Sequence, residues 1–203
     1  MFKFFALFSA VIVSFVGSTA LAMDEVEFGK LLLPGKITVT NPFLDSCDSK
    51  IECGRSYKLL HAGIDYRART PTKVTSPVEG VVVKRWYKGK DHSPQKDPWG
   101  TIMVETQGEK PMYFMFLHMS KSFVKAGDKV QIGCVVGLTG KKGTIFPHLH
   151  VEYKEIPSGW NRRPTPSLKT VAEIKKRGNI SPTEAVLGTK AIAPTQKICA
   201  TGN

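Results

Sequence analysis

Residues 146–155 read FPHLHVEYKE, and this stretch places two histidines and a glutamate at alternate positions. Successive side chains of a β-strand leave opposite faces of the sheet. On a strand, His148, His150 and Glu152 would therefore share one face, and the apolar residues between them would point to the other. The pattern predicts a strand with a core-facing side and a polar side, although a His-x-His pair alone is weak evidence for a metal site.

The sequence around this stretch predicts a mainly β domain. From residue 61 onward, short runs of β-branched residues alternate with Gly, Pro and Asp, which favour turns. Many short strands with frequent turn signals are typical of an antiparallel β-barrel or a sandwich-like fold. Residues 86–99 are polar and contain prolines, so we interpret them as a long hairpin loop. The predicted strands are Val74–Ser76, Gly80–Lys84, Thr101–Glu105, Tyr113–His118, Asp128–Val130, Cys134–Leu138 and His150–Tyr153.

The chain has five histidines, and their positions suggest a metal site assembled from separate segments. His61 opens the sequence HAGID, in which Gly63 lets the backbone approach closely so that His61 and Asp65 can converge. His118 ends the apolar run MYFMFLH, where a core strand would present a polar side chain at its end. His92 lies in the polar loop without a partner motif and is interpreted as a surface residue. Nitrogen and oxygen ligands suit tetrahedral zinc, for which three protein ligands suffice in a catalytic site.

Taken in this order, the motifs resemble the M23 metallopeptidases of the lysostaphin or LytM type, which are zinc endopeptidases that cut peptidoglycan. The hallmarks of that family are HxxxD, a lone histidine on a later strand, and HxH near the domain end. The matching residues are His61–Asp65, His118 and His148–His150. The resemblance covers residues 57–166, and it includes the flanking segments TPTKVTSPVEGVVV (70–83), WGTIMVE (99–105), VKAGDKVQIGCVVGLTG (124–140) and PHLHVE (147–152).

The resemblance implies three ligands for Zn²⁺ and two catalytic histidines. The implied ligands are His61, Asp65 and His150, and the implied catalytic residues are His118 and His148. Zinc lowers the pKa of its bound water from about 15.7 to near 7. A neutral imidazole can then accept a proton at neutral pH, and the metal and a protonated histidine stabilise the oxyanion.

Two departures from the family pattern lie beside this implied site. Phe116 stands where the family usually has tyrosine, two residues before the lone histidine. Residues 141–146, KKGTIF, make a longer and more basic loop, with Phe146 where glycine is usual. Both departures bear on substrate preference and leave the five implied positions intact. Glu152 lies on the correct face to orient a histidine, and a solvated surface glutamate is the alternative.

Residues 1–22 predict an exported protein. Lys3 precedes an apolar run through Val16 and the small-residue pattern Ala20-Leu21-Ala22, as in a cleavable secretory signal peptide. No later segment is apolar enough to span a bilayer, so we expect a periplasmic or secreted protein without membrane insertion after signal cleavage. Loss of Lys3 from 29 basic residues leaves 28 against 17 acidic ones, a net charge of +11. That balance suits an acidic envelope, and the absence of a nucleic-acid motif argues against nucleic acid as a partner.

Four cysteines in an exported chain predict two disulfides. Of the three possible pairings we favour Cys47–Cys53 with Cys134–Cys199, because the second would tie the tail to the core. A short helix is expected from Ser167 to Lys176, ended by Gly178, with an irregular tail after it. The predicted organisation is a signal peptide (1–22), an N-terminal lead-in (23–56), an M23 domain (57–166) and a C-terminal extension (167–203).

The resemblance therefore predicts a monomeric zinc metalloendopeptidase whose partner is a peptidoglycan peptide. Two alternatives share the fold: a non-catalytic relative that activates an amidase, and an exported antibacterial lysin or toxin. The sequence leaves open which bond is cut and whether endo- or carboxypeptidase action dominates. It also leaves open whether the lead-in is inhibitory, with Asn41 as a temporary zinc ligand.

Overall fold

The computed structural model describes residues 23–46, 59–156, 165–166, 168–186 and 197–199. The predicted signal peptide, the Cys47–Cys53 pair and Ser167 lie outside these residues. In chain order the elements are α1 (Glu25–Leu32), β1 (Val39–Asn41), β2 (Ile64–Arg67), β3 (Lys73–Thr75), β4 (Gly80–Val83), β5 (Arg85–Tyr87), β6 (Lys90–His92), β7 (Ile102–Thr106), β8 (Met112–Leu117), β9 (Lys121–Ser122), β10 (Lys129–Val130), β11 (Val135–Leu138), β12 (His148–Glu155), α2 (Val171–Lys176), β13 (Asn179–Ile180) and a 3₁₀ helix (Pro182–Val186).

Among the described residues the β structure consists of three antiparallel sheets. The largest has the strand order β1–β2–β12–β8–β7–β4–β10, with β13 also paired to β12; the others are β3–β11–β9 and the hairpin β5–β6. The prediction of a mainly β, antiparallel fold with a short C-terminal helix is confirmed. Within the described residues the largest sheet is open and ends at β1 and β10, so the fold is not a closed barrel.

The larger apolar core among the described residues is shared by the large sheet, the three-stranded sheet and α1. Its members include Phe28 and Leu32 of α1, Val74 of β3, Val82 of β4, Phe114 and Phe116 of β8, Val136 of β11, and Leu149 and Val151 of β12. A second, smaller cluster of Met103, Tyr113, Met115 and Leu117 covers the other face of β7 and β8. Since β8 alternates between the two clusters, the large sheet is buried on both faces there.

Strand β12 lies inside the large sheet, between β2 and β8, and carries the histidine pair. Leu149 and Val151 are fully buried in the shared core, so His150 and Glu152 leave the opposite face. The register sets His150 opposite Asp65 of β2 on one side and opposite Leu117 of β8 on the other. Pairing with these two strands therefore brings residues that are distant in sequence to one place.

Residues 23–46 of the N-terminal lead-in are folded and contain a helix that the sequence analysis did not predict. Asp24 caps α1 by accepting from the backbone N–H groups of Val26 and Glu27. Phe28 and Leu32 on one side of this helix are completely buried in the shared core. An eight-residue helix is too short for its apolar spacing to stand out in the sequence.

The C-terminal extension is anchored at several points. Helix α2 begins after Thr170, which forms a capping box with Glu173, so the cap lies downstream of the expected Ser167. Gly178 follows the helix at φ +79°, a left-handed conformation that favours glycine. The predicted Cys134–Cys199 disulfide is confirmed.

Residues 86–99, predicted to be a long hairpin loop, contain regular structure. Strands β5 and β6 form a hairpin whose turn residues, Lys88 and Gly89, both have positive φ, as in a two-residue hairpin turn. Asp97 is 1% exposed, pairs with the buried Arg85, and accepts from the backbone N–H groups of Trp99 and Thr101. Among the described residues no helix has the length and apolar character needed to cross a bilayer.

Candidate metal centre and active site

Three side chains from two distant chain segments point at one centre. His61 precedes β2, Asp65 lies on β2, and His150 lies on β12. His150 Nδ1 is 2.7 Å from Asp65 Oδ1 and 3.0 Å from His61 Nε2, and His61 Nε2 is 3.4 Å from Asp65 Oδ1. Ligand bonds of about 2.0–2.1 Å in a tetrahedron place neighbouring donor atoms about 3.3 Å apart. The separations are close to that value.

The chemistry of these donor atoms fits a cation. His61 Nδ1 lies 3.2 Å from the carbonyl oxygens of Asn41 and Pro42, which only accept, so Nδ1 carries the hydrogen. His150 Nε2 lies 3.3 Å from Glu152 Oε1 and donates to it. In a neutral imidazole the other nitrogen, Nε2 of His61 or Nδ1 of His150, then carries a lone pair and no hydrogen. Two lone pairs and the carboxylate of Asp65 therefore face one another, and a divalent metal is the group that satisfies such a set.

The two histidines implied to be catalytic stand beside this centre. Their rings are 4.5 Å apart, and the ring of His118 is 6.0 Å from that of His150. His118 Nδ1 donates to the carbonyl of Lys142 at 2.7 Å, and His148 Nδ1 donates to the carbonyl of Phe146 at 2.9 Å. His148 Nε2 is 3.6 Å from Asp65 Oδ1. Each neutral ring thus has an unprotonated Nε2.

The structure brings together all five sequence-predicted site residues. His92 lies on β6 and does not belong to the cluster. Asn41 lies at its edge, because its backbone carbonyl accepts from His61 and its Nδ2 is 3.5 Å from Asp65 Oδ2.

Electrostatic coupling shifts the pKa values of the clustered groups. Burial disfavours ionisation of Asp65, but the neighbouring His61 and His150 outweigh it and hold the pKa of Asp65 well below its usual range. Burial also disfavours a charged His150, yet Asp65 and Glu152 raise the pKa of His150 to about 9. For His118, burial and the nearby His150 and His148 lower the pKa to about 3. His118 is therefore neutral at neutral pH.

Glu152 is completely buried and ionised, so the solvated alternative for this residue is wrong. Burial raises its pKa, but the charge of Lys154 and the hydrogen bonds from His150 and Asn179 outweigh this and lower the pKa to about 2. Its Oε2 accepts from Lys154 Nζ at 3.2 Å and from Asn179 Nδ2 at 3.0 Å. The backbone N–H of Thr165 donates to both carboxylate oxygens at 2.9 and 3.1 Å.

Residues 141–147 form a loop against His118 and His148. Two of its carbonyls receive the ring hydrogens described above, and its Gly143 packs on Trp99, where an added Cβ would lie 2.6 Å from the indole. Ile145 and Phe146 are 70% and 61% exposed. The carbonyls of Lys142 and Phe146 thus orient the rings of His118 and His148, and the apolar side chains of the loop are exposed next to the centre.

Sequence reasoning missed the support around Glu152. The alternation that marks His148, His150 and Glu152 continues to Lys154, so the sequence did signal a longer polar face on β12. No local pattern identifies Thr165 and the more distant Asn179 as partners of that face. These contacts depend on where the C-terminal extension folds, which is a non-local property.

Comparison with known proteins identifies the family of this fold and site. The sequence profile of peptidase family M23 matches residues 59–164. The chain belongs to peptidase family M23. The match covers the segments that carry all five clustered residues, from His61 to His150.

Several curated M23-like relatives are similar to this chain. Lysostaphin from Staphylococcus simulans is 28% identical over 127 residues, which are 61% of this chain and 24% of lysostaphin. Peptidoglycan DD-endopeptidase ShyA from Vibrio cholerae is 34% identical over 93 residues, 45% of this chain and 20% of ShyA. An uncharacterized metalloprotease from Haemophilus influenzae is 33% identical over 94 residues, 46% of this chain and 18% of the relative. The matched region spans about a quarter or less of each relative.

Solved structures that are similar to this chain include a point mutant of the catalytic domain of EnpA, a prophage-encoded M23 protein from Enterococcus faecalis. It is 24% identical with a TM-score of 0.48, and the alignment covers 66% of this chain and 93% of that one. The catalytic domain of lysostaphin from Staphylococcus simulans is 19% identical with a TM-score of 0.42, covering 69% and 92%.

Proposed function

We propose that this chain is a zinc-dependent peptidase that hydrolyses a peptide bond in bacterial peptidoglycan. The observation that carries the proposal is the convergence of two nitrogens and one oxygen, from His61, His150 and Asp65, within 3.4 Å of one another. Membership of a peptidase family supports the reaction class. Similarity to proteins named peptidoglycan DD-endopeptidases supports the substrate class.

In this proposal His61, Asp65 and His150 hold Zn²⁺, and His118 and His148 are the catalytic histidines. The ion, when bound, supplies a water molecule of lowered pKa and a positive charge beside the scissile carbonyl. The Nε2 atoms of His118 and His148 lack hydrogens while the rings are neutral, so they can accept a proton during attack. Once protonated, the same atom can donate to the carbonyl oxygen as it gains negative charge.

We further propose that residues 1–22 direct export and that the protein acts as a periplasmic or secreted monomer. The basic balance of the chain supports attraction to an acidic wall polymer, because long-range charge raises the local concentration of oppositely charged ligands. The loop 141–147, with exposed Ile145 and Phe146 beside the two lysines, is a candidate for contact with the peptide substrate.

The proposal is tested by incubating zinc-loaded protein (residues 23–203) with purified muropeptides and identifying the products by mass spectrometry. We expect fragments whose summed mass exceeds the substrate by one water molecule, and no fragments from an Asp65→Ala variant. Intact muropeptides, with bound zinc confirmed by elemental analysis, would refute the peptidase activity. That result would instead favour the amidase-activating alternative.

A further inference from the structure

Asn179 in the C-terminal extension contacts both segments that carry the proposed histidine ligands. Its side chain is 1% exposed, and its Nδ2 donates to the carbonyl of Ala62 at 2.9 Å and to Glu152 Oε2 at 3.0 Å. Ala62 directly follows His61, and Glu152 accepts from Nε2 of His150. One amide group therefore donates both of its hydrogens. One goes to the residue that follows His61, and the other goes to the carboxylate that accepts from His150.

The orientation of the Asn179 amide follows from its neighbours. Lys154 Nζ can only donate, so the hydroxyl oxygen of Thr165, at 3.1 Å, accepts from it. That hydroxyl gives its own hydrogen to Asn179 Oδ1 at 2.6 Å. The nitrogen end of the amide must then face Ala62 and Glu152, which both offer only acceptors. The hydrogen bonds run in one consistent direction from Lys154 to Glu152.

Close packing makes this support sensitive to small displacements. At Gly63 an added Cβ would lie 2.2 Å from the carbonyl oxygen of Val151 and 2.8 Å from Nε2 of His150. The segment after His61 therefore lies directly against the ring of His150. In the sheet, Asn179 pairs with Lys154, which lies two residues along β12 from Glu152 and therefore on the same face. A shift of β13 would consequently be transmitted to both ligand-bearing segments.

We propose that Asn179 is a positioning residue of the metal centre, which holds His61 and His150 at ligating distance through Ala62 and Glu152. The inference rests on the proposed function, because it takes these two histidines as zinc ligands. It makes the C-terminal extension a structural part of the site rather than an appendage. Outer partners of metal ligands fix ring orientation and tautomer, and their loss costs about 10- to 100-fold in metal affinity.

The test measures zinc affinity by chelator competition for the wild type and for Asn179→Ala. We expect the zinc dissociation constant to rise by about 10- to 100-fold in the variant. In ¹H–¹⁵N spectra of the zinc-loaded protein, the Nε2 proton of His150 should exchange with water faster in the variant, because Glu152 is less firmly held. A role confined to packing of the extension would not change that proton.

The matched control is Ile174→Ala, which removes a completely buried side chain of α2 in the same extension without touching Glu152. It should lower the melting temperature while the zinc dissociation constant stays within about twofold of the wild type. An unchanged zinc affinity in Asn179→Ala would overturn the inference. Equal weakening in both variants at equal loss of stability would also overturn it.

A second variant covers the case in which Asn179→Ala does not fold. Thr165→Val keeps the backbone N–H bond to Glu152 and nearly the same volume, but it removes the hydroxyl that orients the Asn179 amide. We expect a several-fold weaker zinc affinity, and unchanged affinity here would equally refute the inference. The two claims fail separately. A wild type that binds zinc but cleaves no muropeptide would refute the proposed function, while the ratio of variant to wild-type zinc affinity would still decide the inference. A wild type that binds no zinc would refute both.

Discussion

Each of the four clustered histidines has one ring nitrogen bound to an acceptor of the protein, and the other nitrogen faces the shared centre. The acceptors are the carbonyls of Asn41 and Pro42 for His61, of Lys142 for His118 and of Phe146 for His148, and the carboxylate of Glu152 for His150. These bonds fix the orientation of each ring before any ligand arrives, and they select one tautomer whenever the ring is neutral. Preorganisation of this kind reduces the reorganisation that metal binding and catalysis would otherwise require.

The proposed division between zinc ligands and catalytic histidines predicts two separable phenotypes. His150→Ala should lose zinc, because it removes a proposed ligand atom. His148→Ala should keep zinc affinity near that of the wild type while muropeptide cleavage falls by about 10²- to 10⁴-fold, the usual contribution of a general acid or base. Chelator competition and product quantification distinguish the two variants. Wild-type cleavage by His148→Ala, or loss of zinc from it, would contradict the assignment.

The low pKa of His118 predicts acid sensitivity of the metal-free protein. The pKa of His118 is about 3 in the folded protein and 6.5 ordinarily. Between these pH values His118 is therefore protonated in the unfolded chain and neutral in the folded one. Stability therefore decreases as pH falls from 6.5 towards 3, by about 1.4 kcal/mol per pH unit. Asparagine does not titrate, tolerates the φ of +64° at this position, and can keep the bond to the Lys142 carbonyl.

The measurement compares urea unfolding of chelator-treated wild type and His118→Asn at pH 7.5 and pH 5. The free energy of unfolding of the wild type, relative to the variant, should fall by on the order of 2 kcal/mol between these pH values. A difference that does not change with pH would show that His118 is not held neutral by the fold.

At the scale of elements, β12 shows how far sequence reasoning reaches. Its alternation predicts which side chains share a face, because that pattern is local to the strand. The register that sets His150 opposite Asp65 and next to β8 depends on pairing over 85 positions of sequence, which alternation does not encode. The family motifs supplied that link for the five site residues. They supplied nothing for Thr165 and Asn179, which lie outside the motifs.

Helix α1 is the clearest element that sequence reasoning missed, and Gly29 predicts its importance for stability. An added Cβ at Gly29 would lie 2.5 Å from Ile37 Cγ2 and 2.7 Å from Tyr66 Cε1. Helix propensity alone makes alanine about 1 kcal/mol better than glycine. Overpacking costs about 1–3 kcal/mol, and Tyr66 cannot easily move because it is buried and its hydroxyl bonds to the Glu25 carbonyl. The steric cost of the added methyl group should therefore exceed the gain in helix propensity.

We therefore expect Gly29→Ala to lower the free energy of unfolding by up to about 2 kcal/mol in urea titrations. Val26→Ala is the control, because Val26 is 44% exposed on the same helix and gains only propensity. That variant should be unchanged or slightly more stable. Stabilisation by Gly29→Ala would mean that α1 does not pack against Tyr66 as described.

At the scale of the whole molecule, the physical domain is larger than the motif-bearing region. The lead-in contributes α1 to the shared core and two carbonyls to His61, and the extension contributes Val186, Cys199 and the partner of Glu152. Motif similarity delimits the residues that carry chemistry, since those are recognisable by type and spacing. Apolar residues that merely fill a core have no such signature, so the sequence did not reveal that residues 23–46 belong to the fold.

Because the lead-in and the extension both contribute to the shared core, we expect that residues 57–166 do not fold on their own. Removing the lead-in exposes the cavity left by Phe28, Leu32 and Leu33, and burial of each such side chain is worth about 1.5–3 kcal/mol. Against a total stability of about 5–15 kcal/mol for an ordinary domain, that loss is large before the extension is counted. A fragment of residues 57–166 should show no cooperative thermal transition by circular dichroism, whereas residues 23–203 should show one. If the fragment instead melts cooperatively near the temperature of the longer chain, then α1 and β13 are attachments to a self-sufficient domain, and the contacts of Asn179 would have to be accessory as well.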